Sequence, residues 1–207
     1  MEAVKKRSAS SYENGVYQWF TSCPISREHY QFFRDTYDYS EEECTPQQFA
    51  INYRIELYKH NYSFTFPAAL TLIEYFNSSQ LEPSAQLASD IGKSYLYGSM
   101  EFAKNAGAFK QLAEKYKGTP MEFYFYFYAG RLYEKAGLYY KQTKLSFENA
   151  MNAALTVEQK DNALWYLLNT SLNFSVDTII ESIGTYCRLW NNPEYFDDFF
   201  EALISSL

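Results

Sequence analysis

Histidine is almost missing from this chain of 207 residues: only His29 and His60 occur, and neither sits in a metal-ligand or nucleophile motif. Imidazole base catalysis is left without a setting. The eight glycines are scattered and make no phosphate-cradling loop. Cysteine is limited to Cys23, Cys44 and Cys187, with no C-x-x-C spacing, which argues against the common zinc and redox motifs. Cys23 and Cys44 can pair in an oxidising compartment, but nothing in the sequence requires it. Positive charge is short too, with 18 Lys and Arg against 25 Asp and Glu and a net charge of −7. Nucleic acid, whose binding depends on phosphate neutralisation, is a poor match for such a chain. The one compact basic run, Lys5-Lys6-Arg7, falls in an N-terminal tail that reads as disordered and solubilising. No apolar run is long enough to span a membrane. The opening MEAVKKRSASS also lacks the apolar core of a signal peptide. The expectation is a cytoplasmic protein, or a chain that begins after a removed export signal. No metal site, cofactor or catalytic constellation is expected. Asp197-Asp198 is an acidic pair, but adjacent helix positions point in different directions.

What the chain has in excess is aromatic surface, 21 Tyr and 17 Phe within a composition that is 47% hydrophobic. Tyrosine packs its ring while keeping its hydroxyl wet. Two readings stay open at this point, an aromatic-lined groove and packing between stacked helices. Prolines number only six, and most stand where helices are predicted to start, which argues against a loop-rich chain.

The stretch from Thr119 to Leu155 organises the rest. Thr119 is a good N-cap, Pro120 suits the first helical position, and Glu122 completes a capping box. The helix is predicted to run to Ala136, where Gly137 stops it. A second helix follows over about 139–154, and so short a loop makes the two an antiparallel hairpin. Small residues at Gly130 and Ala150 let the helices approach, with Tyr133 and Phe147 filling the space beside them. Tyr126, Ala129, Gly130, Tyr133, Gly137, Phe147 and Ala150 resemble the tetratricopeptide (TPR) pattern, with a loop one residue longer than usual.

The helix start recurs. Pro83 lies 37 residues before Pro120, and Pro46 lies 37 before Pro83. Counting forward by 37 reaches Val157, inside a Thr156-x-x-Gln159 box, and 36 more reach Pro193, capped by Asn192. Such a period predicts an all-α fold, a right-handed superhelix of TPR-like helical hairpins. First helices are expected near 46, 83, 120, 157 and 193. Residues 1–44 are read as a tail and an irregular helical cap, and 45–207 as the repeat domain. Within the cap, SYENGVYQWFTS and SREHYQFFRDTYDYS look amphipathic, and Glu41 to Glu43 form a solvated acidic loop. In the first repeat, Phe49, Tyr53 and Leu57 share a helix face. Tyr62 to Phe66 alternates and is predicted to be an extended loop before a helix from Pro67 to about Phe76. In the second, Leu87, Ile91, Gly92 and Tyr95 give a packing face, and the partner helix runs over about 100–116, with Gly107 inside it at a cost of roughly 1 kcal/mol relative to alanine. The FYFYFY run, Phe123 to Tyr128, favours strand by local preference, but the cap and the period decide for helix.

One further resemblance enters at the C-terminal repeats. The run Asp161-Asn-Ala163-Leu-Trp165-Tyr166-Leu-Leu and the later Trp190-Asn-Asn-Pro193-Glu-Tyr195-Phe196-Asp197-Asp198-Phe199 resemble the superhelical region of soluble lytic murein transglycosylases. The resemblance implies a non-catalytic helical domain that positions a peptidoglycan glycan strand or a protein partner, in the periplasm or cell envelope. That family's catalytic glutamate lies in a Glu-Ser motif followed by Gly-Leu-Met-Gln. Here Glu181-Ser182 occurs with no such segment after it, so Glu181 is read as an ordinary helix residue and the chain as no enzyme in itself. The alternative is a free-standing TPR-like adaptor that binds a protein segment, in the cytoplasm. A ligand would meet the inner faces of the first helices. Taking Gly130 as the packing position puts Tyr124, Phe127, Arg131 and Glu134 near that face, with Tyr166 and Thr170 from the next repeat. Rings offer stacking area and arginine offers directed hydrogen bonds.

Overall fold

The computed structural model describes residues 45–137, 139–172 and 174–189, and these contain eight helices and no strand. The chain divides into two compact units, the first ending at Ser99 and the second beginning at Met100. The expected cap before Thr45 and the helix expected from 193 lie outside the described residues.

The first unit holds α1 (Pro46–Tyr58), α2 (Tyr62–Asn77) and α3 (Ala85–Gly98), each in contact with the other two. Thr45 caps α1 as its sequence predicts, its hydroxyl accepting from the Gln48 amide at 3.1 Å, with Pro46 in the first turn. Phe49, Tyr53 and Leu57 are buried along one face of α1. The segment 62–66 is helical rather than an extended loop. Its alternation of aromatics also fits a helix once Phe64, Ala68 and Leu72 fall on one buried face. Pro67 sits near the N-terminus of α2, where only one intrahelical bond is forfeited. Asn61 supports the start, its carbonyl accepting from the Thr65 hydroxyl at 3.1 Å. Helix α3 starts after Pro83 rather than at it, because Ser84 is the better cap and accepts from the Leu87 amide at 3.4 Å. At its other end Gly98 is required by contact: a Cβ there would stand 2.5 Å from Phe66 Cβ. Removing the side chain lets α3 close on α2, where Phe66 and Tyr95 meet edge to face at 5.0 Å.

The second unit holds α4 (Phe102–Lys115), α5 (Glu122–Ala136), α6 (Tyr140–Ala153), α7 (Val157–Ser171) and α8 (Val176–Leu189). Consecutive helices pack together, and α5 also meets α7. The start of α5 is two residues later than the capping box predicts, with Met121 at the cap position. Thr119 spends its hydroxyl on the Tyr116 carbonyl at 2.7 Å, and Glu122 reaches back to the Gly118 amide at 2.6 Å. The reciprocal pair is thereby displaced by one residue. Gly137 stops α5 in the left-handed conformation at φ 80°, as the sequence predicts. The FYFYFY run is helical, and all of it except Tyr124 is buried. Aromatics on every side of α5 are matched by neighbours on several sides: Phe125 meets Phe109 of α4 at 5.6 Å, and Phe127 meets Phe147 of α6 at 5.9 Å. Gly130 works as the close-approach position, since a Cβ there would lie 2.7 Å from the Phe147 ring. Gly107 faces the Tyr133 hydroxyl at 3.9 Å from where its own Cβ would be, and α4 continues through it.

Contacts between helices two apart in the chain include bonds at separations near 37, with others one turn further at 41 and 42. Tyr53 donates to the Asp90 carbonyl 37 residues on, at 3.2 Å, joining α1 to α3. Thr170 donates to Glu134, 36 residues back, at 3.0 Å, joining α7 to α5. Tyr140 donates to the Thr178 carbonyl 38 residues on, at 3.4 Å, and Lys144 bonds Glu181 37 residues on, joining α6 to α8.

Candidate functional site

Of the six residues singled out from the sequence, all but Tyr124 meet in one cluster between α5 and α7. Helix α5 supplies Phe127, Arg131 and Glu134, one turn apart, and α7 supplies Tyr166 and Thr170. The Arg131 guanidinium carbon lies 3.7 Å from the centre of the Tyr166 ring, a cation stacked on an aromatic face. Its Nε also pairs with Glu134 Oε2 at 2.9 Å, and the other Glu134 oxygen accepts from Thr170 at 3.0 Å. Arg131, Glu134 and Thr170 thus each have a partner inside the cluster. Below, Phe127 meets the Tyr166 ring edge to face at 5.4 Å, and Phe147 of α6 stacks on Tyr166 at 6.2 Å. Tyr124 stands apart, half-buried, with its ring against Phe123. Phe147 is the member that counting along first helices does not find, because it belongs to a second helix. Its spacing from Gly130 in the hairpin was the available signal.

The matching contact in the first unit is polar. Asp90 of α3 is 2% exposed, and Arg54 Nε of α1 stands 3.0 Å from its Oδ2. That approach is close enough for an ion pair but poorly aligned for a hydrogen bond. Gln86 donates to Oδ1 at 2.9 Å, and the Ser94 hydroxyl, 3.1 Å from the Asp90 carbonyl, is bonded to the Tyr53 hydroxyl, so that the two hydroxyls share the contact with that carbonyl. Burial pushes the Asp90 carboxyl above its ordinary value, while the Gln86 bond, Arg54 and Lys93 pull it back.

Comparison with family models, with curated proteins and with solved structures finds no match. The site is therefore described by its own geometry.

A second feature of the second unit was not singled out from the sequence as a site. Val157, Glu158, Asp161, Asn162 and Trp165 of α7 line an open depression of about 540 Å³. Helical spacing puts them on one face, and the signal was a large ring, Trp165, within an otherwise polar stripe. Trp165 is 39% exposed. Asp161 Oδ1 is shut off from solvent without a hydrogen-bond partner, and burial raises this carboxyl while nearby Lys160 lowers it.

His60 is exposed, its Nδ1 2.9 Å from the Tyr62 hydroxyl. His29, Cys23 and Cys44 lie outside the described residues. Glu181 is exposed and bonded to Lys144. Among the described residues no group of three or more His, Cys, Asp or Glu is placed to hold a metal ion, and no helix is long and apolar enough to cross a membrane.

Proposed function

We propose that this chain is a binding scaffold, a TPR-like stack of helical hairpins whose first helices present side chains to an extended segment of a protein partner. The observation that carries the reading is the recurrence of helix-to-helix bonds at separations of 36 to 38 residues, in α1 to α3, α5 to α7 and α6 to α8. Repeats bonded only to their neighbours are the physical basis of a solenoid. The right-handed superhelix is part of the proposal, as is action by binding rather than by catalysis. The Arg131–Tyr166–Glu134–Thr170 cluster then serves as the seam between repeats, with only its rim open to a ligand. Panning the full chain against a displayed peptide library tests the reading, with bound peptides mapped by hydrogen exchange. Protection confined to α1, α3, α5 and α7 is expected. No enriched peptide, or protection confined to the second helices, would sink it.

A second reading keeps the cell-wall resemblance, a helical domain that positions a glycan strand for a separate catalytic domain. It is favoured by Trp165 and Asp161, which belong to the run carrying that resemblance and line an open depression. Co-sedimentation with purified peptidoglycan, lost in Trp165→Ala, is its expected result. Neither reading gives the chain an activity of its own: no soluble muropeptides should be released from peptidoglycan, and release abolished by Glu181→Gln would overturn that.

A further inference from the structure

The depression on α7 has the chemistry of a cation receptor. Its apolar wall is Val157 and the indole of Trp165, and its polar wall holds the carboxylates of Glu158 and Asp161 with the Asn162 amide. Among the described residues neither carboxylate is matched by a cation in an ion pair. The neighbouring position shows what an aromatic of this helix does when a cation is within reach: Tyr166 carries the Arg131 guanidinium 3.7 Å above its ring. Trp165, one residue earlier and so turned about 100° around α7, offers the stronger face of the two residue types and has no such partner among the described residues. The whole chain, at net charge −7, favours a basic partner at long range.

We propose that this depression docks a lysine or arginine side chain of a basic, extended protein segment, its charge between Glu158 and Asp161 and its stem or guanidinium plane on Trp165. The proposal rests on the scaffold reading and names the class of partner. A bound cation would also neutralise the Asp161 carboxylate at the depression's wall, which an uncharged ligand cannot do. A sugar face stacks on indole equally well, but it needs hydrogen bonds rather than charge, so an amide can replace the carboxylate for a sugar and not for a cation.

The test uses the full chain, isothermal titration calorimetry, and a short lysine-rich peptide beside its glutamine-for-lysine version. The lysine peptide should bind with measurable heat, and the glutamine peptide should not. Trp165→Ala should weaken binding about tenfold, the order of one buried cation–aromatic contact, and Trp165→Phe should recover part of it. Asp161→Asn should weaken it by about threefold or more, with circular dichroism and melting unchanged in each variant. Asp177→Asn, an exposed acid at the start of α8, is the charge control and should leave affinity as it was. Binding indifferent to Trp165→Ala in a folded variant overturns the proposal. So does equal weakening by Asp177→Asn, which would mean diffuse attraction. Trp165-dependent binding of a chitooligosaccharide that survives Asp161→Asn would reassign the depression to a glycan. If library peptides bind but are neither basic nor dependent on Trp165, this inference falls and the scaffold reading stands. If no peptide binds, both fall.

Discussion

The α1–α3 contact and the α5–α7 contact use the same ingredients in opposite ways. Each holds an arginine, a carboxylate and a tyrosine. In the first unit the arginine crosses between helices to a carboxylate that is almost fully buried, and the tyrosine hydroxyl bonds backbone and serine. In the second the arginine pairs within its own helix, three residues along, and crosses only with its flat face, onto a ring. The first contact therefore depends on charge matched across a gap, and the second on shape, with charges cancelled locally. Two helices can keep the same neighbour relation while the chemistry holding them changes.

The sharpest way to break the comparison is Arg54→Ala. It strips Asp90 of the cation paired with it and leaves the buried carboxylate with the Gln86 bond and the weaker pull of Lys93. A cost of about 2–3 kcal/mol is expected, at or below the low end for breaking a buried pair because Arg54 is itself 39% exposed. Loss of amide-exchange protection in α1 and α3, with α5 and α7 unchanged, is the readout. Arg131→Ala should cost less, about 1–2 kcal/mol, since Glu134 keeps the Thr170 bond and what is lost is one ion pair and one stacked cation. Protection should fall in α5 and α7 only. If Arg131→Ala proves the more damaging of the two, the contrast between the contacts is misdrawn.

Acidity separates them further. Burial raises the Asp90 carboxyl above its ordinary value, so its favourable contribution is complete below that ordinary value and is lost as pH rises through the higher folded one. Wild type should gain on Asp90→Asn when pH is lowered from neutral toward 4, because only the carboxyl is relieved of its buried charge by protonation. Melting curves of both proteins across that range check this, and a gap that does not change with pH refutes it. The smallest effect belongs to Thr170→Val, about 0.5–1 kcal/mol, a single hydrogen bond whose acceptor retains Arg131.

The elements were legible wherever a local device fixes them. Thr45 and Thr156 cap by side chain, Gly137 stops α5, and Gly130 faces Phe147, all read from residue types at helical spacing. The segment 62–66 was not, because alternating aromatics fit a strand or a helix and only burial of Phe64 against the rest of the unit decides. Pro83 misled for a related reason: proline tolerates a helix start, but Ser84 supplies the acceptor. At the site, counting from Gly130 placed Phe127, Arg131 and Glu134 beside Tyr166 and Thr170, since register carries across equal repeats. It could not distinguish a lined groove from a packed seam, because Phe147 enters from another helix. Asp90 went unnoticed because an aspartate in a sequence reads as a solvent-facing residue.

The turn after α5 has a handedness of its own. Gly137 stands at φ 80°, and nothing lies within 4 Å of where a Cβ would be. An L-residue there would meet strain from its own backbone and none from its surroundings. For a D-residue that backbone is the ordinary basin, so D-alanine would be free of that backbone strain and would narrow the conformations open to the unfolded chain. The joint between these two helices is thus selective for chirality rather than for size.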